Sequence, residues 1–428
     1  MIKQILNTLG LTKELLSLNL SLFLILVLSI MSITPMIQVG KYLLVLWGLF
    51  IIITTKYFIH AEKSLKQLAI LGALYIAVCV AYWGVGISSA GFGYCVPNPF
   101  VFFSPIFALI VLSQSNDNQI SVLFHAISLI IALNIVYSIW IVHALGLENV
   151  VFQSLSDAAD GSESTSYGGA MYVNMVIFYA NITFITFLKT NNKIEKLVYL
   201  FYFCISAYFI IICSLKASAV LLLLFSTLLQ YIAYKGERNI GIIIALSIIT
   251  LGIFYLFRDN IIDILINIID SDRITSRLEV FKSGAELSAN LSFAGREDLW
   301  MVSLQSWLKT PITFFFGIGN HDWSAFTSVK ESGIGNHSDF FDVFARYGLL
   351  GGVIFYSGLR RYYKYLQNKY SLQFRWEIIS FFVLVILMGV TKRFVAGEPA
   401  IIIFILLPLC LKHLYNTMPT LSKEKLKQ

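Results

Sequence analysis

Charged residues are scarce in this chain. Asp, Glu, Lys and Arg supply 13% of its 428 residues, whereas 57% are hydrophobic and the mean hydropathy is +0.77. A soluble domain carries roughly 25% charged residues, so this composition excludes an ordinary water-soluble protein. Apolar runs long enough to cross about 30 Å of hydrocarbon recur between Leu18 and His413. The sequence therefore predicts an all-α polytopic membrane protein.

Cysteine and metal-binding patterns are also lacking. The five cysteines fall mostly inside apolar runs, and their spacing matches neither a disulfide framework nor a zinc site. No group of His, Asp and Glu residues has metal-ligand spacing, so we expect no required metal and no other cofactor. The first twenty residues contain no small-residue cleavage site, and we interpret them as a retained cytoplasmic segment.

The two outer loops GVGISSAGFGYCVPNP and LENVVFQSLSDAADGSESTSYGG contain no Lys or Arg at all. Four loops on the opposite side are basic, at 56–66, 189–196, 235–238 and 360–375. This asymmetry predicts that the basic loops and both chain ends lie in the cytoplasm. The net charge of +7 is largely this cytoplasmic excess, so it does not indicate nucleic-acid binding.

The apolar runs predict about twelve spans with one long outer loop. We divide the chain into 1–257 with nine spans, 258–347 as the large extracytoplasmic loop, and 348–428 with three spans and a cytoplasmic tail. The spans are predicted near 18–38, 42–58, 67–83, 99–113, 119–144, 169–188, 197–213, 217–234, 239–257, 348–360, 376–391 and 398–412.

The long loop is predicted to be folded. LWMVSLQSWL has helical periodicity, and NHSDFFDVFARYG predicts a second helix with Asn336 as its cap and Gly348 as its stop. A polar loop of this length is usually functional or disordered. Since these patterns argue against disorder, we expect function on the outer face.

Cations near the outer ends of spans are the first functional candidates. A cation at the centre of a span costs about 2.5–3.5 kcal/mol, so one kept close to a span needs a partner. An anionic ligand would supply that partner, and guanidinium groups bind phosphate through two parallel hydrogen bonds. The candidates are Lys216, Arg277, Arg296, Arg346 and Arg393.

Ordinary interpretations of these cations remain open. Arg346 follows Asp342 by four residues on a predicted helix, and such pairs are common on helix surfaces. Arg393 can extend toward lipid headgroups. Arg296 begins a predicted helix, where a cation opposes the helix dipole, and a residue that costs local stability is a better functional candidate.

Two of the six histidines follow the same four residues, Gly-Ile-Gly-Asn. The glycines permit tight turns, and their N–H groups are candidates for an anion site. His337 is followed by the predicted helix that runs to the next span, whereas His321 is followed by a polar stretch without a clear period. A catalytic group needs a rigid support, so we expect His337 to be catalytic and His321 to be a surface residue.

These motifs resemble the O-antigen polymerase and O-antigen ligase superfamily. GR-x-x-x-W at 295–300, G-x-G at 317–319 and HSDFFDVFARYGLLG at 337–351 carry the resemblance. SLKAS at 214–218 is similar to the Ser-Arg-small motif of the family, with Lys216 where Arg is usual. The resemblance implies a GT-C-like helical fold in the bacterial inner membrane, with the active site on the periplasmic face.

The resemblance also implies the reaction, a metal-independent glycosyl transfer from an undecaprenyl-diphosphate-linked oligosaccharide. In a polymerase of O-antigen or capsule type the acceptor is a sugar hydroxyl on another lipid-linked unit, and in a ligase it is a sugar of lipid A-core. The HSD and RYG sequences favour a polymerase, and a chain-length regulator is a further candidate partner. His337 would be the general base, and Arg296 with Arg277 or Arg393 would neutralise the diphosphate.

Two other classes remain. Twelve spans with both ends inside are also typical of transporters, and five polar residues are candidates to line a path: His125, Asn134, His143, Asn174 and Asn181. We find no inverted repeat, and the polar mass lies on one side, which argues against this class. An assembly partner without catalytic activity would tolerate changes of the loop charges.

Overall fold

The structure of the protein is a computed structural model, which describes residues 22–23, 25–27, 56–88, 105–145, 170–214, 217–235, 263, 294–319, 333–335, 338–391, 395 and 397–417. Within these ranges every regular element is a helix, and no strand occurs. The predicted span 239–257, and most of 18–38 and 42–58, lie outside the described residues.

Seven helices form the described part of the first half. They are α1 (Lys56–His60), α2 (Lys63–Gly84), α3 (Pro105–Leu112), α4 (Asp117–Leu145), α5 (Ala170–Lys189), α6 (Lys193–Tyr208) and α7 (Ala217–Lys235). A π-helical turn, Phe209–Cys213, continues α6.

The second half begins with two helices of the long loop. Its helices are α8 (Ala294–Leu308), α9 (Pro311–Phe316), α10 (Asp339–Thr391), α11 (Gly397–Ile401) and α12 (Leu407–Thr417). A π-helical turn, Ile402–Leu406, joins α11 to α12.

Among the described residues, six helical stretches are long and apolar enough to cross a membrane: Lys63–Gly84, Asp117–Ala144, Tyr172–Lys189, Lys193–Cys213, Asp339–Thr391 and Glu398–Thr417. Each overlaps a span predicted from the apolar runs. The prediction of an all-helical polytopic membrane protein is therefore confirmed, while the count of twelve spans and the GT-C fold stay predictions.

The helix α10 changes direction twice. Its 53 residues would extend about 80 Å if straight, but the backbone leaves helical geometry at Gly348 (φ 60°) and Phe374 (φ −129°). The hydroxyl of Tyr356 donates to the carbonyl of Phe340 (3.0 Å), so the chain folds back at Gly348. The rings of Tyr363 and Phe382, 5.0 Å apart, show a second reversal near Phe374. The expected stop at Gly348 is confirmed.

The helix α5 lies at the centre of the bundle, with 78% of its spanning window buried. Asn181 donates to Ser226 of α7 (2.8 Å), and Lys189 pairs with Glu377 of α10 (2.6 Å). Because lipid is as apolar as leucine, burial alone does not drive helices together in a bilayer. Close packing and these interhelical polar contacts therefore hold α5 in place.

Loops that the charge pattern assigns to one side contact one another. At the basic end, Lys369 pairs with Glu62 (3.0 Å), which joins two loops expected in the cytoplasm. At the other end, a Cβ placed on Gly319 of the long loop would lie 2.4 Å from the carbonyl oxygen of Ile87. The grouping of loops predicted from charge therefore agrees with the contacts of the fold.

Candidate functional site

The described part of the long loop is organised around a hairpin of α8 and α9. Thr310 and Thr313 form a reciprocal capping box that starts α9 directly after α8. The indole Nε1 of Trp307 donates to the carbonyl of Phe314 (2.8 Å) and closes the hairpin. The Trp307 ring stacks on Phe344 of α10, with centroids 4.5 Å apart. The hairpin is thereby attached to the first segment of α10, residues 339–347.

The first Gly-Ile-Gly motif ends this segment of α10. The backbone N–H groups of Ile318 and Gly319 donate to the carbonyls of Ala345 (2.8 Å) and Arg346 (2.9 Å). Gly317 and Gly348 both have positive φ, which glycine tolerates best. The expectation that the glycine N–H groups line an anion site is wrong for Gly317 and Gly319, because they donate to the carbonyls of Thr313 (2.7 Å) and Arg346 at helix ends.

The second Gly-Ile-Gly motif contacts α8. The hydroxyl of Ser303, fully buried, accepts from the N–H of Gly335 (2.8 Å) and donates to Asp342 Oδ1 (2.7 Å). A Cβ on Gly335 would lie 2.1 Å from the carbonyl oxygen of Leu299. The backbone at Gly335 therefore lies directly against α8, and Ser303 joins α8, the 333–335 segment and α10.

A second pair of contacts joins the start of α10 to the last turn of the same helix and to Val395. Ser338 Oγ donates to the carbonyl of Gly389 (2.9 Å), and Asp339 Oδ2 accepts from the N–H of Val395 (2.7 Å). The helix begins at Asp339, and Ser338 is in the cap position, where its Oγ accepts from the N–H of Phe341 (3.4 Å). The cap predicted at Asn336 is thus taken by Ser338, and Asn336 lies outside the described residues.

Few of the predicted site residues belong to the described part of the chain. Lys216, Arg277, His321, His337 and Arg393 lie outside the described residues. Arg296 belongs to the first turn of α8, as predicted. Its side chain lies outside the part of the chain that the structure describes.

Arg346 is described in full. Its side chain is 14% exposed and forms the anticipated i,i+4 ion pair with Asp342, at 3.9 Å. The ion-pair interpretation of Arg346 is therefore observed, and its role toward a ligand stays a prediction.

Three described contacts are nevertheless made by residues that are close in sequence to the predicted site residues. Leu299, which meets Gly335, is three residues after Arg296, or about one helical turn. Gly335 and Ser338 flank His337, and Gly389 and Val395 flank Arg393. Because these flanking positions contact one another, α8, the start of α10, the last turn of α10 and Val395 lie close together.

An open cleft of about 260 Å³ lies beside Gly348, between the first and second segments of α10. Most of its wall is apolar, and a basic residue stands at one end. The lining residues are Phe344, Leu349, Val353, Tyr356, Ser357 and Arg360. Such a cleft suits an apolar chain, and Arg360 lies at the end of the cleft away from Gly348.

A separate polar cluster lies near the basic end of the bundle. His125 of α4, Glu195 of α6 and His413 of α12 each direct one potential ligand atom to a common point, with all three atoms within 4.8 Å of one another. The sequence analysis did not identify this group, because its members are far apart in the chain. Glu195 follows His125 by 70 positions, and His413 follows Glu195 by 218 positions. Within the described residues, this cluster is able to hold a metal ion.

Gly335 offers a test of the contact between α8 and the second motif. Gly335→Ala places a methyl group against the Leu299 carbonyl, and overpacking of this kind costs about 1–3 kcal/mol. We expect a lower unfolding temperature in detergent and, if the chain has the glycan transfer that the motif resemblance implies, a loss of that activity of about 10–10²-fold, since small displacements of reacting groups are costly. Gly84→Ala is the control, because nothing lies within 4 Å of a Cβ there. Equal activity of both variants would contradict the role given to this contact.

Comparison with known proteins supports the resemblance seen in the motifs. Residues 201–356 match the protein family described as O-Antigen ligase. No curated protein matches the chain. The matched segment runs from α6 through the long loop to the second segment of α10, so it contains the α8–α9 hairpin and the Gly335 contacts. By this segment, about a third of its length, the chain is similar to the O-antigen polymerase and ligase superfamily.

Proposed function

We propose that the protein is a polymerase of lipid-linked oligosaccharide repeat units. It would transfer the growing glycan from undecaprenyl diphosphate to a sugar hydroxyl of another lipid-linked unit. The reaction would occur at the periplasmic face of the bacterial inner membrane, with both chain ends in the cytoplasm. The observation that carries this proposal is the convergence of α8, the start and last turn of α10, and Val395 around Gly335, Ser338 and Asp339.

The convergence supports a common location for three of the predicted residues. Arg296 is on the turn of α8 before Leu299, and Leu299 touches Gly335, two residues before His337. Arg393 lies between Gly389 and Val395, which bond to Ser338 and Asp339. One histidine and two arginines would therefore surround a single reaction centre, supported on hydrogen-bonded backbone.

The proposed reaction is a displacement at the anomeric carbon of the donor. The acceptor oxygen forms the new bond to that carbon while the bond from carbon to the diphosphate oxygen breaks. His337 takes the proton of the acceptor hydroxyl, and undecaprenyl diphosphate leaves with the bonding electrons. His337 acts as the general base because a neutral imidazole is available at neutral pH.

The leaving diphosphate needs positive charge in place before the bond breaks. Arg296, with Arg277 or Arg393, would supply it without a metal ion, since each charge-assisted hydrogen bond contributes about 1.5–3 kcal/mol. Lys216 would add a point charge but no bidentate contact. Arg346 already pairs with Asp342, so we rank it after the other arginines.

The isoprenoid tails would lie between spans. The cleft at 344–360 has an apolar wall and opens beside Gly348, where the long loop joins the bundle. A donor tail in this cleft would place its diphosphate near the start of α10. This placement accounts for an active site at the end of a span.

The ligase alternative shares every one of these elements and differs only in the acceptor. The transporter alternative depended on polar residues inside spans, and the structure gives several of them a packing role. Asn134 accepts from Tyr172 (2.7 Å), Asn181 bonds Ser226 (2.8 Å) and His143 bonds Tyr208 (3.0 Å), each on another helix. Such contacts are those of interhelical association, so they favour a scaffold over a path.

The decisive experiment supplies purified protein with its substrates separately. Lipid-linked repeat units alone should give a ladder of products that differ by one unit, seen by gel or mass spectrometry. A single transfer that requires added lipid A-core would identify a ligase. Consumption of neither substrate, with intact inserted protein, would contradict both enzymatic functions.

A further inference from the structure

We propose that His125, Glu195 and His413 form a binding site for one divalent transition-metal ion of the Zn²⁺ type, at the end of the bundle opposite the long loop. The site is independent of the proposed glycan transfer. It rests on three side chains from three helices that meet at one point.

The ligand set is chemically specific. Two imidazoles and one carboxylate form a His₂Glu set, which suits zinc and leaves a fourth position for water. Magnesium and calcium prefer oxygen ligands and would bind such a site weakly. The chemistry therefore points to zinc or a neighbouring transition metal.

The distances between the three ligand atoms are close to those of a tetrahedral zinc site. Zinc–ligand bonds of about 2.0–2.2 Å put tetrahedral ligands roughly 3.4 Å apart. His413 Nε2 and Glu195 Oε1 are 2.7 Å apart, and no pair of ligand atoms exceeds 4.8 Å. Side-chain rotations that move each ligand atom by roughly 1–1.5 Å would bring the three atoms to tetrahedral spacing.

Outer contacts orient two of the ligands. Tyr199 Oη bonds His125 Nδ1 (2.9 Å), which leaves Nε2 of that ring for an ion. Thr190 Oγ1 donates to Glu195 Oε2 (2.9 Å), so Oε1 faces the cluster. Partners of this kind set the ring orientation and tautomer in metal sites.

Burial and charge are also suitable. His413 is 3% exposed and Glu195 is 11% exposed, whereas His125 is exposed and provides a route for the ion. Lys412, beside His413 in sequence, directs its ammonium to the carbonyl of Ser115 (2.7 Å) on the loop after α3. Lys196, beside Glu195, lies over the ring of Phe187 (5.3 Å). Glu195 Oε1 contacts His413 Nε2 (2.7 Å), and a divalent cation between them would bind both groups.

The consequence is a connection between distant parts of the chain. A bound ion would join α4 and α6 of the first half to α12, the last described helix. Anything that binds only the folded state raises its stability by mass action, so zinc should raise the unfolding temperature.

The test uses full-length protein in detergent, without a polyhistidine tag and after treatment with a chelator. Zinc is titrated against a chromophoric chelator, and unfolding temperatures are measured with and without zinc, with magnesium in parallel. We expect one zinc per chain, an increase in Tm with zinc and none with magnesium. Less than one equivalent bound, or no change in Tm, overturns the proposal.

Variants separate this site from adventitious binding. His125→Ala, at an exposed position that should tolerate it, and Glu195→Gln should each weaken zinc binding by more than the about 10–100-fold typical of an outer partner. Tyr199→Phe keeps the ring and should weaken binding about tenfold. His143→Ala is the matched control, since His143 makes the same kind of contact with Tyr208 (3.0 Å) on the same two helices. Unchanged affinity in His125→Ala, or an equal loss in His143→Ala, contradicts the assignment.

Discussion

Replacement of His337 by alanine is expected to lower glycan transfer by about 10²–10⁴-fold, the usual contribution of a general base. Without the imidazole, the acceptor hydroxyl must lose its proton to water as it attacks. The effect should appear in kcat more than in KM, because the base acts on the reacting hydroxyl and not on the bound tail. The measurement is the initial rate of product formation from purified lipid-linked units, together with glycan length in cells.

The duplicated motif supplies the control for this variant. His321 follows the same Gly-Ile-Gly-Asn sequence, so His321→Ala removes the same side chain from the same local sequence. We expect its rate to stay within about twofold of the wild type, as for a surface substitution. Both variants should reach the membrane in normal amounts. Full-length polymer from His337→Ala would exclude the base assignment.

The sequence predicted the membrane architecture well, because the bilayer imposes a length and a polarity on every span. The helix α2 was expected at 67–83 and extends over Lys63–Gly84, and α5 was expected at 169–188 and extends over Ala170–Lys189. The span expected at 348–360 was too short. The second segment of α10 continues to Phe374, past the basic residues at its cytoplasmic end, since a helix need not stop where its apolar stretch stops.

The contacts of the candidate site could not be predicted from the sequence in the same way. Ser338 and Asp339 belong to the motif that suggested the family, but nothing in their spacing shows that they bond Gly389 and Val395, more than fifty residues later. The glycines at 317 and 319 illustrate a related limit. A Gly-rich turn is compatible with an anion site or with a helix cap, and only the partners of its N–H groups distinguish the two.

The His125, Glu195 and His413 cluster shows the same limit more strongly. Metal sites are recognised in sequence when their ligands share one element, as two histidines on one helix do. Here each ligand belongs to a different helix, so only the packing of α4, α6 and α12 brings them together. Long-range assembly of this kind leaves no periodic signal in the chain.

Substitutions of Arg296 can separate the effect of its positive charge from the effect of its bidentate hydrogen bonding. If its guanidinium binds the diphosphate through two hydrogen bonds, Arg296→Ala removes about 3–6 kcal/mol of transition-state stabilisation, or roughly 10²–10⁴-fold in rate. Arg296→Lys keeps the charge but loses the planar fork, so we expect an intermediate loss of about 10–10²-fold. The measurement is kcat/KM for the lipid-linked donor with each variant.

Lys309 provides the matched control, because it is an exposed cation directly after the other end of α8. Lys309→Ala should leave the rate nearly unchanged, since an exposed charge contributes little in water. If Arg296→Lys were as active as the wild type, a point charge would suffice and bidentate binding would be excluded. If Arg296→Ala and Lys309→Ala had equal, small effects, the convergence around Gly335 would be a structural joint of the loop, and the diphosphate would have to bind elsewhere.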